Sequence, residues 1–452
     1  MKTKPNFSAR LAAALIIFSL LLSAAGCGQA PAPSPSETNK ESGKETSRET
    51  GTSAENETKK SSSGTVKAGN LMEGIDAEPV EGKAPDDTFT ASQYAFAARL
   101  FSSSYADDGG NCLISPLSVM LALAMTANGA AGNTLSQMVK ALGNGMPLDE
   151  LNAYLYQYVK DLPSGKDSKL AIANSVWLND REDFSVLTDF LRAAASWYGA
   201  DVYKMPFSDK TVKEINNWVS KNTDKMIKQI VDRLSEDDRM FLVNAVCFDS
   251  KWSTPFTKTF DRIFTEAGGS EKTVDMMYSQ ENEYYSGDNY TGFAKYYVNG
   301  YKYVALLPDK DTSLDDLIAG LDGEKLAAIL SGAEHTRVNI GLPKYSYDYS
   351  ASLAVRLEDM GMTDAFNDLA ADFSKMSDTE RLVIGGVIHK TFIEVTEAGT
   401  RAAAVTAVTM AAATAIQTQP PKEVILDRPF LYMIVDTENN LPIFIGTVNS
   451  VD

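Results

Sequence analysis

The sequence predicts an α+β fold in which helices come first and strands dominate later. Between Phe89 and Thr223, most segments space their apolar residues as amphipathic helices do. Between Met240 and Val448, most segments are short apolar runs typical of buried strands. The chain shows no internal repeat, and its strands do not alternate regularly with helices. A repeating βαβ architecture is therefore not expected.

Composition and charge exclude several classes of function. The 452 residues carry a formal net charge of −18, which argues against a nucleic-acid partner because phosphate binding needs a basic surface. The two histidines are His335 and His389, so a histidine metal site is not expected and histidine catalysis has at most two candidates. No glycine-rich phosphate loop is present. We therefore predict no cofactor and no metal.

The N-terminus has the pattern of an export signal. Three basic residues, Lys2, Lys4 and Arg10, precede the apolar run Leu11–Leu22, which is too short for an ordinary membrane span. The letters L-L-S-A-A-G-C follow and end at Cys27. They resemble the lipobox of bacterial lipoproteins, although alanine stands where leucine is more usual. The resemblance implies a lipid anchor at Cys27, at the bacterial cell surface or envelope; a plain secretory signal is the alternative.

A tether is predicted for residues 28–85. Residues 28 to about 70 are rich in Ser, Thr, Glu, Lys, Gly and Pro and nearly free of large apolar groups. Such a segment cannot bury enough surface to offset its ordering entropy. Residues 71–85 have a mixed composition that fits either side of the boundary. We place the signal at 1–27 and the globular domain, expected to be monomeric and outside the cytoplasm, at 86–452.

Local signals predict nine helices. Serine before proline is typical of a helix start, with the serine as N-cap and the proline in the first turn. Ser115 and Pro116 therefore start a helix at Leu117, which ends near Asn128 and Gly129. Apolar periodicity predicts the others at Phe89–Phe101, Thr134–Leu142, Leu148–Leu162, Val186–Tyr198, Asp209–Thr223, within Leu314–Leu330 (two short helices) and at Ser350–Met360.

Apolar runs bounded by turn residues predict the strands. They are Leu170–Leu178, Met240–Phe248, short strands within Lys272–Pro308, Arg337–Leu342, Leu382–Val395, Phe430–Val435 and Pro442–Val448. Cys112 and Cys247 lie in apolar runs, where a free cysteine behaves as a small hydrophobe. Two buried thiols are expected, and a disulfide between them stays open.

One long segment, Glu397–Pro429, separates two predicted strands and has no clear structure of its own. Loops of this length are uncommon in compact domains and are usually functional. Alternate side chains of a strand point to opposite faces. The even positions of this segment are uncharged, so it is able to become a strand with one buried face. They are Thr400, Ala402, Ala404, Thr406, Val408, Met410 and Ala412.

Several separated motifs resemble those of the serpin family, the serine protease inhibitors, and they occur in the family's order. The resemblance covers roughly Asp87 to the end of the chain. The motifs are N-C-L-I-S-P-L-S from Asn111 and A-M-T-A-N-G-A-A-G-N-T-L ending at Leu135, Leu242–Trp252, V-I-H-K from Val387, E-V-T-E-A-G-T-R-A-A-A ending at Ala404, D-R-P-F-L from Asp427, and Pro442–Val448.

The resemblance implies three β-sheets, about nine helices and an exposed reactive-centre loop. It also implies a mechanism, in which a serine protease cleaves the loop and forms an acyl-enzyme, and the loop then inserts into the large sheet as a new strand. The target protease is thereby held in a covalent complex. The matched positions are the hinge residues Glu397, Gly399, Thr400, Ala402, Ala403, Ala404 and Thr406, the shutter residues Ser115, Ser118, Asn244 and His389, and Trp252 at the breach, where insertion begins.

The residues add detail to this expectation. Arg401 departs from the hinge pattern, where glutamate is typical, but its odd position is expected to face outward. The family's spacing from Glu397 places the cleaved bond at Ala413–Thr414; because the far side of the loop is long, Met410, Ala412 and Thr414 stay open as the residue before the bond. Alanine there fits a shallow elastase-like or subtilisin-like pocket.

Two other functions compete with inhibition. The first is a non-inhibitory serpin-fold binding or chaperone protein, in which the loop never inserts; the uncharged even face argues against it. The second is a hydrolase that uses His335 or His389 with a serine. No G-x-S-x-G nucleophile elbow is present, and the resemblance places His389 in a core strand, so we predict that the chain is not an enzyme.

The position of the cleaved bond is testable by substitution. Ala413→Arg places a cation where a trypsin-like protease pocket needs one, so inhibition should shift from elastase-like and subtilisin-like proteases towards trypsin. The measurement is residual activity of each protease after incubation with the variant, followed by mass spectrometry of the loop peptides. Unchanged selectivity would place the cleaved bond elsewhere.

Overall fold

The computed structural model describes residues 69–105, 110–180, 184–401 and 420–451. Nine α-helices lie in these ranges: α1 Asp87–Ser104, α2 Pro116–Ala127, α3 Gly132–Gly143, α4 Leu148–Asp161, α5 Thr188–Tyr198, α6 Asp209–Asn222, α7 Leu314–Ala319, α8 Gly323–Ser331 and α9 Ala354–Asp359. None of them is long and apolar enough to cross a membrane. The predicted start of α2 is confirmed, because Ser115 caps the helix and Pro116 stands in its first turn.

Seven strands form one sheet in the order β1-β4-β3-β5-β13-β12-β11. In chain order they are β1 Gly69–Asn70, β3 Ser168–Asn179, β4 Asp201–Met205, β5 Met240–Lys251, β11 Tyr345–Ser352, β12 Ile384–Val395 and β13 Gly399–Thr400. We call this the first sheet. β5 and β12 run parallel, whereas β13 is antiparallel to both.

The remaining described strands are connected through β7. They are β2 Leu113–Ile114, β6 Lys258–Thr265, β7 Glu271–Ser286, β8 Tyr290–Tyr296, β9 Tyr301–Pro308, β10 Glu334–Pro343, β14 Lys422–Ile425, β15 Phe430–Asp436 and β16 Pro442–Val448. Most of β7 pairs with β6 and β10, and only its last residues pair with β8. The described strands therefore form two connected sheets, the first sheet and this nine-stranded one, where the family resemblance implied three.

Two apolar cores flank the first sheet. The larger core fills the space between this sheet, α2 and the β9–β15–β16 strands, and every residue of α2 is buried. The smaller core lies under α6 and contains odd-numbered residues of β5 such as Val243 and Ala245. Side chains of β5 therefore alternate between the α2 side at even positions and the α6 side at odd positions.

Two sequence predictions need correction. The helix expected at Ser350–Met360 begins only at Ala354, because the preceding residues form β11, which pairs with β12 from Tyr345 to Ser352. Residues 69–71, which we assigned to the tether, belong to the described fold, since Gly69 and Asn70 pair with β4 and Leu71 is 1% exposed. The question of a disulfide is answered too, because Cys112 and Cys247 are both buried and do not form one.

Candidate functional site

The site is centred on the boundary between β5 and β12, the two parallel strands in the middle of the first sheet. They pair directly from Ile384 opposite Met240 to Thr391 opposite Val246. Beyond that point β13 lies between them, with Thr400 paired to Ser250 on one side and to Val395 on the other. The chain after Val395 thus turns back and enters the sheet for two residues.

A tight hairpin makes this turn. The Thr396 amide and hydroxyl both donate to the Gly399 carbonyl oxygen, at 2.9 and 3.0 Å. Gly399 has a φ of 155°, and a Cβ there would lie 2.2 Å from the Ser250 carbonyl oxygen. This close approach to β5 excludes any side chain, so the glycine is required for β13 to fit.

Thr400 points into the large core. It is 1% exposed, and its hydroxyl bonds the Tyr297 hydroxyl. Burial raises the pKa of Tyr297, so the phenol stays protonated and remains able to bond the threonine. The structure therefore places Thr400 on the side of the sheet that the even-position pattern selects for burial.

Aromatic and polar contacts hold the hairpin at the entrance. Trp252 is 2% exposed, stacks on Tyr297 with centroids 4.2 Å apart, and donates from Nε1 to the Thr396 carbonyl oxygen at 2.9 Å. The Trp252 amide also donates to the Ala398 carbonyl oxygen at 3.0 Å. Glu397 is more exposed and pairs with Lys344 at 3.2 Å.

Further down the boundary, Asn244 joins three strands and α2. Its amide nitrogen lies 2.5 Å from the Ser118 hydroxyl, 2.7 Å from the Ser118 carbonyl oxygen and 2.6 Å from Oδ1 of Asn174 on β3. Its oxygen lies 2.6 Å from Nδ1 of His389, its register partner on β12. The structure thus brings Asn244 and His389 together with Ser118 and Ser115 in one buried network.

The protonation of His389 follows from its two bonds. Nε2 accepts from the Ser115 amide at 3.2 Å, so the ring proton lies on Nδ1 and donates to Asn244. The ring is fully buried, and burial lowers the pKa of His389 to about 3. The neutral imidazole therefore acts as a hydrogen-bonded crosslink across the boundary between β5 and β12.

Sequence reasoning missed three residues of this site: Tyr297, Lys344 and Asn174. Each is a common residue in a strand or strand connection far along the chain from its partner, and only the sheet register brings the pairs together. Asn174 offered one signal, since it is a polar residue in the apolar run Leu170–Leu178. The predicted residues Cys27, Ala402, Ala403, Ala404, Thr406, Ala413 and Thr414 lie outside the described residues.

The sequence matches a known protein family over most of its length. The family model for serpins, serine protease inhibitors, matches residues 91–451. The chain belongs to the serpin family. Most members of this family are protease inhibitors that form covalent complexes with their targets, and this serpin is likewise not an enzyme. Among the described residues, no group of three or more His, Cys, Asp or Glu could hold a metal ion.

Individual relatives agree with the family model. A thermophilic serpin, tengpin, has a native-state crystal structure that matches with a TM-score of 0.81 and 46% identity, over 85% of this chain and 100% of tengpin. Tengpin in its latent state matches less well, with a TM-score of 0.72 and 43% identity over 82% of this chain and 100% of that one. The leukocyte elastase inhibitor of Equus caballus is 31% identical over 78% of this chain and 97% of its own length.

The buried state of His389 makes stability depend on pH. Between pH 6.5 and about 3, the unfolded chain binds a proton at this ring and the native chain does not, so the free energy of unfolding falls as the pH is lowered. This contribution is about 2 kcal/mol between pH 7 and pH 5. His389→Gln should remove it, and denaturant titrations at the two pH values measure it.

The matched control is His335→Gln, at the exposed histidine of β10. The stability advantage of the wild-type protein over His389→Gln should shrink from pH 7 to pH 5. A constant advantage across this range would contradict the buried neutral state of His389.

Proposed function

We propose that this serpin inhibits serine proteases with shallow, elastase-like or subtilisin-like pockets, by cleavage of its loop, trapping of the acyl-enzyme and insertion of the loop between β5 and β12. The observation that supports this most is β13. The residues that lead into the loop already occupy the gap between the two strands, in an orientation that a longer inserted strand would continue.

Sheet energetics favour such an insertion. The boundary between β5 and β12 is a parallel pairing, and parallel pairs are slightly less stable per residue than antiparallel pairs. A strand that continues β13 would replace one parallel ladder by two antiparallel ladders. Each additional ladder hydrogen bond contributes about 1 kcal/mol net. The separation of β5 from β12 would break the bond between Asn244 and His389, which is a small loss against this gain.

The alanine proposed before the cleaved bond supports the choice of protease. Ala413 is small and uncharged, so it fits a shallow pocket and supplies no cation for a trypsin-like one. Leukocyte elastase inhibitor is among the relatives, which agrees with this choice without deciding it.

The direct test is incubation of the purified protein with pancreatic elastase or subtilisin. An adduct of inhibitor and protease that survives SDS is expected, and protease whose active-site serine has been blocked beforehand should form none. Cleavage of the loop without any adduct would refute inhibition in favour of the non-inhibitory alternative.

The role of Thr400 is testable in the same assay. Thr400→Arg places a charge where the side chain is 1% exposed, and burying an unpaired charge costs several kcal/mol. Insertion should be slowed so far that the variant is cleaved as a substrate and forms little adduct. Thr400→Ser keeps the hydroxyl that bonds Tyr297 and is expected to inhibit like the wild type; undiminished inhibition by Thr400→Arg would contradict the argument.

We also propose that the protein is lipid-anchored at Cys27 and displayed outside the cytoplasm at the cell surface or envelope, with the serpin domain held by residues after the anchor. Two or more acyl chains anchor a protein stably where one does not. Cys27→Ser should abolish incorporation of a labelled fatty acid and move the protein from the detergent phase to the aqueous phase of a detergent partition. A variant that stays labelled would refute the anchor.

A further inference from the structure

The entering strand stops at Arg401, whose backbone is left-handed. Its φ is 53°, a conformation that residues other than Gly, Asn and Asp rarely adopt. The Arg401 amide still donates to the Glu394 carbonyl oxygen at 2.7 Å. This bond belongs to the pairing of Thr400 with Val395, and the paired registers of β13 with β5 and with β12 both end at Thr400. Arg401 is therefore the first residue after the paired register.

The guanidinium of Arg401 is near the Asp249 carboxyl but forms no ion pair with it among the described residues. Its Nη1 atom is buried without a hydrogen-bond partner among the described residues. Burial raises the pKa of the Asp249 carboxyl, and the charge of Arg401 opposes that rise, as it does for the Cys247 thiol. Asp249 and Cys247 occupy odd positions of β5, on the α6 side of the sheet. The side chain thus lies on the face expected for an odd position of the loop.

The register of β13 shows where Arg401 would go. Thr400 stands opposite Ser250 on β5 and opposite Val395 on β12, and both pairings are antiparallel. One more residue in the same register places Arg401 opposite Asp249 on one side and opposite Glu394 on the other. Glu394 is an even residue of β12, where even residues such as Ile388 face α6, so all three side chains share one face.

The carboxylates of Asp249 and Glu394 are able to accept Arg401 as an ion-pair partner. Neither carboxylate forms an ion pair within the part of the chain that the structure describes. Lys169 and Lys251, the bases on the neighbouring positions of the sheet, already form ion pairs with other acids. A glutamate at position 401, which the hinge pattern of the family prefers, would instead place a third carboxylate between Asp249 and Glu394.

We infer that Arg401 forms an acid–base–acid ladder with Asp249 and Glu394 when the loop inserts, and that this ladder speeds the first step of insertion. The inference rests on the proposed function. On insertion the left-handed backbone becomes extended, and the unpaired guanidinium gains two carboxylate partners. The ladder exists only in the inserted form, so it acts on the conversion and not on the native state.

The experiment uses full-length protein and compares the wild type with four variants. They are Arg401→Gln, Arg401→Lys, Asp249→Asn and the double variant Arg401→Gln with Asp249→Asn. Asp167→Asn is the matched control, because it removes an acid of the same end of the sheet whose partner is Lys251. Two quantities are measured with pancreatic elastase: the moles of inhibitor consumed per mole of elastase inhibited, and the thermal unfolding midpoint before and after loop cleavage.

A cross-strand charge pair makes insertion about five-fold faster. Some inhibitor is cleaved without trapping elastase, so more than one mole is consumed per mole of elastase inhibited. The amount above one mole should rise about five-fold in Arg401→Gln and in Asp249→Asn. In the double variant this amount should rise by less than the product of the two single-variant increases. In Arg401→Lys it should stay near the wild-type value. Cleaved-form midpoints should fall in the neutralised variants, native midpoints should not move, and 1 M NaCl should shrink the differences.

Each other outcome is decisive. If the wild-type protein gains no thermal stability on cleavage, the loop does not insert, and the proposed function fails together with the ladder. If the wild type inserts but Arg401→Gln and Asp249→Asn match it in both measurements, the ladder alone is refuted. Equal losses in the native and cleaved midpoints would assign both residues a structural role in the native fold and would also refute it.

Discussion

The parallel boundary between β5 and β12 is the constraint on which the rest of the structure depends. The first sheet packs on apolar cores on both faces, whose burial is the main stabilising term in folding. At this boundary, backbone pairing and a single buried network, from Ser115 and Ser118 through Asn244 to His389, join the strands to each other and to α2. Hydrogen bonds contribute little net free energy each. Opening of the boundary, which the proposed insertion requires, would therefore cost less free energy than unfolding of either core.

The entrance to this boundary is organised differently from its middle. Around the hairpin, the stacked rings of Trp252 and Tyr297 form the apolar contact. Backbone hydrogen bonds and the ion pair of Glu397 with Lys344 hold the turn in place. The ion pair is partly exposed, and such pairs stabilise weakly. Geometry at the entrance thus comes mainly from aromatic packing and from the missing Cβ of Gly399. The polar contacts select one position for the turn rather than supplying much stability.

The sequence predicted those elements whose signals are local. The start of α2 was predictable because Ser115 and Pro116 form a cap and a first turn by themselves, and the core strands were predictable because their apolar runs are long. β11 was missed although Tyr345, Tyr347 and Tyr349 alternate with polar residues, a strand pattern that the neighbouring helix obscured. The partners of the site were not predictable, since Tyr297 meets Thr400 only through sheet register. The left-handed backbone of Arg401 has no local signal, because it occurs where the pairing of β13 with both neighbouring strands ends.

The hairpin at Thr396–Gly399 has a kinetic consequence. A new strand normally requires a costly nucleus, in which chain ends are brought together before pairing yields any gain. Here the turn is closed and the first pair on each side is formed, so further pairing would be elongation and not nucleation. In the proposed mechanism, elongation would proceed residue by residue, and the side chain that enters next would set its rate. The composition of the entering segment would then decide whether insertion is fast or slow, and the rest of the fold would serve as a preformed template.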